Sequence, residues 1–263
     1  MSARDTGLRD DLALLVAARL EEVAIIAARV AADAIAEALA ARDRALVALS
    51  GGTSPAPLFD ALARRHRAGL APPLDDPRIA WFWADERVVA PDDPRSNARL
   101  AREHLLAAVG APVAAVHPLP PSGDPDARAR SWERELARVA GADPGGAPPV
   151  FDLVHLGLGA DGHTASLFPG DAAVDETARW FVPARGPAGG PARVTMTLPL
   201  LCAAREVLFF VGGADKRDAL AALVARAMPE PAPPARLVRP AGRLIVAADG
   251  AAAAGLPRGE GRP

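Results

Sequence analysis

One apolar run that ends among glycines constrains the fold of this chain more than any other segment. Residues 151–158 are mostly apolar or β-branched, and the run is long enough for one buried strand. Gly157, Gly159 and Gly162 follow closely, and glycine allows both a sharp turn and the close approach of a ligand. Because open α/β sheets keep their chemistry in the loops that follow strands, this segment predicts such a sheet with a site at this loop.

Strand-like and helix-like segments alternate along the rest of the chain. Apolar spacing and a high alanine content predict one long helix over residues 8–41. Further helices are expected from 55 and over 98–108, 126–140 and 219–227, and further strands over 45–49, 79–84, 194–197, 206–211 and 244–247. The alternation predicts an α/β fold: a mostly parallel, Rossmann-like open sheet with helices on both faces and room for a small additional lobe.

The Pro- and Gly-rich patches each lie between single elements, so they are expected to be surface loops and not domain linkers. We therefore expect residues 1–254 to form a single α/β domain and residues 255–263 to form a disordered tail.

Composition excludes several classes of protein. The chain has 263 residues and a net charge of −2, which gives no reason to expect a nucleic-acid or membrane partner. The single cysteine, Cys202, rules out an intrachain disulfide and a cysteine-based zinc site. No secretory signal and no run of about 18 apolar residues is evident, so a cytoplasmic protein is expected.

The loop after residues 151–158 carries the first candidate for catalysis. Histidine transfers protons near neutral pH, and a carboxylate two residues away can orient it, which makes His163 and Asp161 a candidate pair. An ordinary turn with a capping histidine has the same pattern, and the residues alone leave that alternative open. His155 interrupts the preceding apolar strand, and no role for it follows from the sequence.

Two further segments suggest an anion site. Residues 50–53, Ser-Gly-Gly-Thr, lie between a predicted strand and a predicted helix and offer N–H groups and hydroxyls to an anion, although a simple strand-to-helix turn fits them too. Lys216 is the one lysine among 30 basic residues, so 29 are arginine. This lysine follows a predicted strand and a Gly-Gly turn, where a compact ammonium group suits a phosphate oxygen. The alternative is that it lies on a solvated helix and was left unreplaced by arginine through chance.

Taken whole, residues 151–170 resemble the signature of the 6-phosphogluconolactonase family, in which a strand runs into Gly-x-Gly-x-Asp-Gly-His-Thr-Ala-Ser-Leu-Phe-Pro. Other family segments occur in the expected order and extend the resemblance over about residues 10–250: Leu49–Thr53, Trp83–Val89 with Ser96-Asn97, Arg193–Thr197 and Val211–Lys216.

The resemblance implies roles for particular residues. In the wider superfamily, which includes glucosamine-6-phosphate deaminases, the matching Gly-rich loop, arginine and lysine hold the sugar phosphate. That role falls here on Ser50, Gly51, Gly52, Thr53, Arg193 and Lys216. Arg87 of the Asp-Glu-Arg motif is expected to bind substrate oxygens, with Asp85 and Asn97 also on the substrate side. Without the flanking motif, a local ion-pair cluster would be the favoured interpretation of Asp-Glu-Arg.

The implied reaction is hydrolysis of 6-phospho-D-glucono-1,5-lactone to 6-phosphogluconate, with His163 as general base for the attacking water. Neither a metal nor a cofactor is expected, because no His, Asp or Glu cluster has ligand spacing. An isomerase-deaminase for amino-sugar phosphates is the main alternative. Its motif carries a ring-opening glutamate where this chain has Phe168, which cannot transfer a proton. A non-catalytic sugar-phosphate sensor is the third hypothesis, and a monomer or small homo-oligomer fits all three.

Overall fold

The computed structural model describes residues 8–52, 54–186 and 188–256. The strands are β1 (Leu12–Ala17), β2 (Ala45–Leu49), β3 (Ile79–Trp83), β4 (Asp85–Arg87), β5 (Leu153–Leu156), β6 (Phe181–Ala184), β7 (Arg193–Met196), β8 (Glu206–Val211) and β9 (Arg243–Asp249). The α-helices are α1 (Leu20–Arg42), α2 (Ala56–Arg67), α3 (Asn97–Ala101), α4 (Ala107–Val109), α5 (Pro125–Ala140), α6 (Leu198–Cys202), α7 (Arg217–Val224) and α8 (Pro234–Leu237). A π-helical turn, Arg102–Leu106, joins α3 to α4.

Six strands form a parallel sheet in the order β1-β9-β8-β5-β2-β3. Every residue of β2, β3, β5 and β8 is buried, as expected for parallel strands covered on both faces. Helix α1 packs along β1, β2, β5, β8 and β9. The predicted α/β class with a parallel sheet flanked by helices is confirmed, and the inner position of β5 places its carboxyl end between the loops after β2 and β8.

A second, smaller sheet lies beside the first. Its three antiparallel strands have the order β4-β7-β6. The strand predicted over residues 194–197 therefore belongs to this sheet as β7. The β4–β7 register sets Arg87 opposite Arg193, so two cations predicted to contact substrate come from neighbouring strands.

The predicted single helix over residues 8–41 is wrong in its first third. Residues Leu12–Ala17 form β1, which pairs in parallel with β9, and α1 begins only at Leu20. The Arg19 N–H donates to the Glu22 carboxylate at 3.3 Å at the start of the helix. Apolar residues at 12, 15 and 16 fit a helical period and an edge strand equally well, and pairing with β9 decides between them.

The remaining boundaries differ by a few residues. The apolar run 151–158 forms a strand only over Leu153–Leu156, because the glycine-rich loop starts at Gly157. Most of the expected tail, from residue 257 onward, lies outside the described residues. None of the helices in the described ranges has both the length and the hydropathy needed to span a bilayer.

Candidate active site

A cleft of about 270 Å³ opens at the carboxyl ends of the parallel strands, next to the small sheet. This is the position at which open α/β sheets bind ligands. Its walls include most of the residues singled out in the sequence: Ser50, Gly51, Gly52, Asp85, Arg87, Gly157, Gly159, His163, Arg193 and Lys216. Thr53 lies outside the described residues. Three strand ends and the second sheet thus bring together segments that are far apart in the chain.

His163 and Asp161 are in direct contact. Oδ1 of Asp161 lies 2.5 Å from Nδ1 of His163 and also accepts the His163 backbone N–H at 3.1 Å. Burial acts to raise the pKa of Asp161, but the hydrogen bonds from His163 outweigh it and leave that pKa below its ordinary value. An ionised Asp161 on Nδ1 keeps the ring proton there, so Nε2 is left as the proton acceptor of the neutral imidazole.

The loop between them is shaped by glycine. Gly162 has φ of 81° and donates its N–H to the Gly159 carbonyl at 3.0 Å, while the Gly159 N–H donates to the His163 carbonyl at 2.8 Å. A Cβ at Gly159 would collide with both the His163 ring and the Asp161 carboxylate. Glycine at this position is therefore what allows the two side chains to meet.

Phe168 forms an apolar wall behind the histidine. Its ring centroid lies 4.4 Å from that of His163, and the Arg193 guanidinium carbon lies 5.5 Å from the same centroid. The position that would carry the ring-opening glutamate of a deaminase is thus filled by a ring that orients two polar residues and transfers no proton.

Asp85 and Arg193 are linked through a serine. The Ser166 hydroxyl donates to Oδ2 of Asp85 at 2.5 Å and accepts from Arg193 at 3.2 Å, and Arg193 lies 3.7 Å from the same Asp85 oxygen. Burial, together with the neighbouring charge of Arg87, lowers the pKa of Arg193. An arginine stays charged nonetheless, so the arrangement holds a cation at the cleft with its guanidinium oriented. Ser166 was not singled out from the sequence, although it stands inside the motif.

The Asp-Glu-Arg triplet forms no ion pair among its own three side chains in the described structure. Arg87 instead donates to the Arg95 carbonyl at 2.6 Å. Glu86 is buried and accepts the N–H groups of Arg87, Asn97 and Ala98. Burial raises the pKa of Glu86 in spite of these bonds. The local ion-pair alternative is therefore wrong, and Glu86 anchors the segment that carries Arg87.

Asn97 lies behind the cleft and not on its surface. Its side chain is 1% exposed and donates to the backbone carbonyl of Asp85 at 2.8 Å and to Oδ1 of Asp85 at 3.1 Å. A Cβ added to Gly51 would collide with the Asn97 amide. The residue predicted to contact substrate thus supports Asp85 and the glycine loop from behind.

Lys216 also lines the cleft. It follows β8 through Gly212 and Gly213, and its Nζ lies 3.0 Å from Oδ2 of Asp215. The side chain is 21% exposed, whereas that of Asp215 is 67% exposed, so solvent weakens the pair and leaves the ammonium available to an anion. Within the described ranges, no three His, Cys, Asp or Glu side chains lie close enough together to hold a metal ion.

A model of the glucosamine-6-phosphate isomerases/6-phosphogluconolactonase family matches residues 18–246. The chain belongs to this family. It is 43% identical over 215 residues to a 6-phosphogluconolactonase of Synechocystis sp., covering 80% of this chain and 84% of that one. It is 39% identical over 220 residues to a 6-phosphogluconolactonase of Nostoc sp., covering 83% and 88%.

Solved structures of the family agree with the fold. The structure of a 6-phosphogluconolactonase from Trypanosoma cruzi superposes with a TM-score of 0.83 at 28% identity, over 95% of this chain and 99% of that one. A glucosamine-6-phosphate deaminase superposes with a TM-score of 0.73 at 21% identity, which at that identity shows the shared fold alone. The architecture of this family is thus common to both activities, and the side chains of the cleft must distinguish them.

Proposed function

We propose that the protein hydrolyses 6-phospho-D-glucono-1,5-lactone to 6-phospho-D-gluconate, the lactone step of the oxidative pentose phosphate pathway. Relatives at about 40% identity over most of the chain carry the name 6-phosphogluconolactonase. The observation that supports the proposal most is the Asp161–His163 contact at a cleft walled by Arg87, Arg193 and Lys216. A base and three cations suit an anionic ester substrate.

In the proposed mechanism, Nε2 of His163 takes a proton from water as the water oxygen bonds to the lactone carbonyl carbon. Asp161 stabilises the resulting imidazolium. The tetrahedral intermediate then expels the ring oxygen, which leaves as a hydroxyl group after receiving the proton from His163. The product is the open-chain acid. The oxyanion receives hydrogen bonds from Arg87 or from backbone N–H groups of the 157–162 loop.

The phosphate is assigned to the glycine loop after β2 and to two of the cations. The N–H groups of Ser50, Gly51 and Gly52, with Arg193 and Lys216, are proposed to bind its oxygens. Phe168 beside His163 speaks against a deaminase, because no carboxylate stands at that position to open the ring of an amino-sugar phosphate. We also propose a cytoplasmic protein that acts on a small molecule, as a monomer or small homo-oligomer, without a nucleic-acid or membrane partner.

The experiment is a measurement of acid release from freshly made phosphorylated lactone at constant pH, with and without the protein. The expected result is a rate well above the spontaneous one, unchanged after dialysis against a strong chelator because no metal takes part. Glucosamine 6-phosphate is the control substrate and should release no ammonia. Turnover of that substrate would support the deaminase instead, and binding of phosphorylated sugars without any turnover would support a sensor.

A further inference from the structure

A second histidine, His155, lies in the floor of the cleft. It is a residue of β5, in register with Leu208 of β8, and it is 3% exposed. Aromatic rings pack on it from two sides: its centroid lies 5.7 Å from that of Phe59 and 6.4 Å from that of Phe210. The imidazole is thus held in a fixed orientation by the core while one part of it lines the cleft.

Its hydrogen bonds determine which ring nitrogen carries the proton. The Ser50 N–H donates to Nδ1 of His155 at 3.2 Å, and the Ser50 hydroxyl donates to the His155 carbonyl at 2.7 Å. A nitrogen that accepts a hydrogen bond from a backbone amide carries no proton of its own, so the proton of the neutral ring is on Nε2. The same pair of bonds ties the start of the glycine loop to β5.

Nε2–H has no acceptor among the residues that the structure describes. This nitrogen is not fully enclosed and retains some accessible surface, although the residue as a whole is only 3% exposed. Because His155 lines the cleft, that surface faces the space available to substrate. Because Nε2–H has no protein hydrogen bond to give up, a ligand oxygen can accept from it at little cost in free energy.

The ring stays neutral under ordinary conditions. Burial lowers the pKa of His155 to about 3, and no carboxylate bonds to the ring to oppose this. At neutral pH His155 therefore neither takes a proton from water nor delivers one. What it offers is a fixed, uncharged N–H donor.

We propose that His155 is a specificity-determining residue, whose Nε2–H donates to a phosphate oxygen of the substrate beside the Ser50–Gly52 backbone. The assignment to the phosphate end, which rests on the proposed function, follows from position. Ser50 begins the loop assigned to phosphate, and Phe210 belongs to the strand that leads to Lys216. A neutral donor also adds a bond to the anion without the repulsion that a third cation would meet beside Arg193 and Lys216.

Two substitutions separate the donor from the loop contact. In His155→Asn the amide oxygen takes the place of Nδ1 and accepts the Ser50 N–H, but the donor at Nε2 is lost. In His155→Gln the amide nitrogen reaches the place of Nε2 and restores a donor. We expect His155→Asn to lower the ratio of kcat/KM for the phosphorylated lactone to that for unphosphorylated gluconolactone about tenfold, mainly through KM, as for a hydrogen bond to a charged group. His155→Gln should recover most of that ratio.

His104→Asn is the matched control, because His104 lies in the π-helical turn Arg102–Leu106, pairs with Asp60 of α2 and does not line the cleft. It should keep the wild-type ratio. A wild-type ratio in His155→Asn would overturn the proposal, because the donor would then not contact the phosphate.

A measurement on the unaltered protein covers the case in which a variant does not fold. In nitrogen-15 spectra of the histidine rings, His155 should show the Nε2–H form from pH 5 to 9, and added inorganic phosphate should shift its Nε2 resonance. No shift at saturating phosphate would overturn the proposal. Absence of lactone hydrolysis by the wild type would instead refute the proposed function, while the phosphate titration still tests His155.

Discussion

At the scale of single residues, the site depends on a base whose orientation comes from its neighbours. His163 is bonded to Asp161 and packed on Phe168. General-base catalysis contributes on the order of 10²–10⁴-fold, so His163→Ala should lower kcat at least about 10²-fold. Inorganic phosphate should still bind, because Arg193 and Lys216 remain.

The measurement is steady-state hydrolysis together with a phosphate titration, and His104→Ala is the control at a histidine outside the cleft. Activity of His163→Ala close to that of the wild type would remove His163 from the mechanism. Weak activity combined with lost phosphate binding would point instead to a structural role for the ring.

Lys216 provides a second prediction at this scale. Lys216→Ala should weaken binding of the phosphorylated lactone by about 1.5–3 kcal/mol, the range for hydrogen bonds to charged groups, while unphosphorylated gluconolactone should be affected far less. Lys216→Arg keeps the charge but replaces a compact ammonium with a broad planar group, so it should also lose affinity. Wild-type KM values in both variants would show that the lysine does not bind phosphate.

The sequence predicted the residues of the site better than their contacts. Asp161, His163 and Lys216 could be identified because a motif or a unique residue type marks them. The bond between Ser166 and Asp85 could not, because it joins residues 81 positions apart and depends on how β4 sits beside the motif loop. The same reason explains why Asn97 was expected at the cleft surface and lies behind it.

At the scale of elements, the glycine after β2 connects fold and site. Asn97 is held by two hydrogen bonds to Asp85 and cannot move aside for a side chain at position 51. Gly51→Ala should therefore lower the free energy of unfolding by about 1–3 kcal/mol, the usual cost of overpacking, and weaken phosphate binding.

Urea denaturation and a phosphate titration test this prediction. Gly157→Ala is the stability control, because a Cβ there meets no atom within 4 Å. Equal stability of Gly51→Ala and Gly157→Ala would contradict the prediction, because the Asn97 amide would then move aside in spite of its hydrogen bonds.

Helices and strands were predicted well where the apolar residues fit only one hydrophobic period, and poorly where they fit both the helical and the strand period. The run over residues 206–211 forms β8 with the predicted bounds, because five consecutive apolar residues after Glu206 allow little else. The first segment was assigned to a helix because its alanines favour one, and β1 forms there through pairing with β9, more than 200 residues later in the chain. Local propensity carries no information about a partner strand so distant in the sequence.

At the scale of the whole molecule, the order of strands was beyond prediction. The alternation of elements indicated a parallel sheet but not that β5 would lie between β2 and β8. That placement puts His155 under the Ser50 loop, which is why a histidine without a role in the sequence acquires neighbours in the structure.

The burial of His155 also makes the stability of the molecule depend on pH. Its pKa is about 3 in the folded protein, against 6.5 for an ordinary histidine. Well above pH 6.5 both states are neutral and the difference in pKa has no effect on stability. As the pH falls from 6.5 towards 3, the unfolded chain binds a proton that the folded protein does not, so stability is lost over this window.

The change can be isolated by comparison with His155→Gln, which does not titrate. Between pH 7 and pH 5.5, the wild type should lose about 1 kcal/mol more of its free energy of unfolding than the variant, because each pH unit below the unfolded pKa costs up to about 1.4 kcal/mol. Urea denaturation at the two pH values measures the difference, and the other ionisable groups cancel because both proteins contain them. Parallel curves for the two proteins would mean that the folded protein also protonates His155, and the ring would then not be the neutral donor that the cleft floor requires.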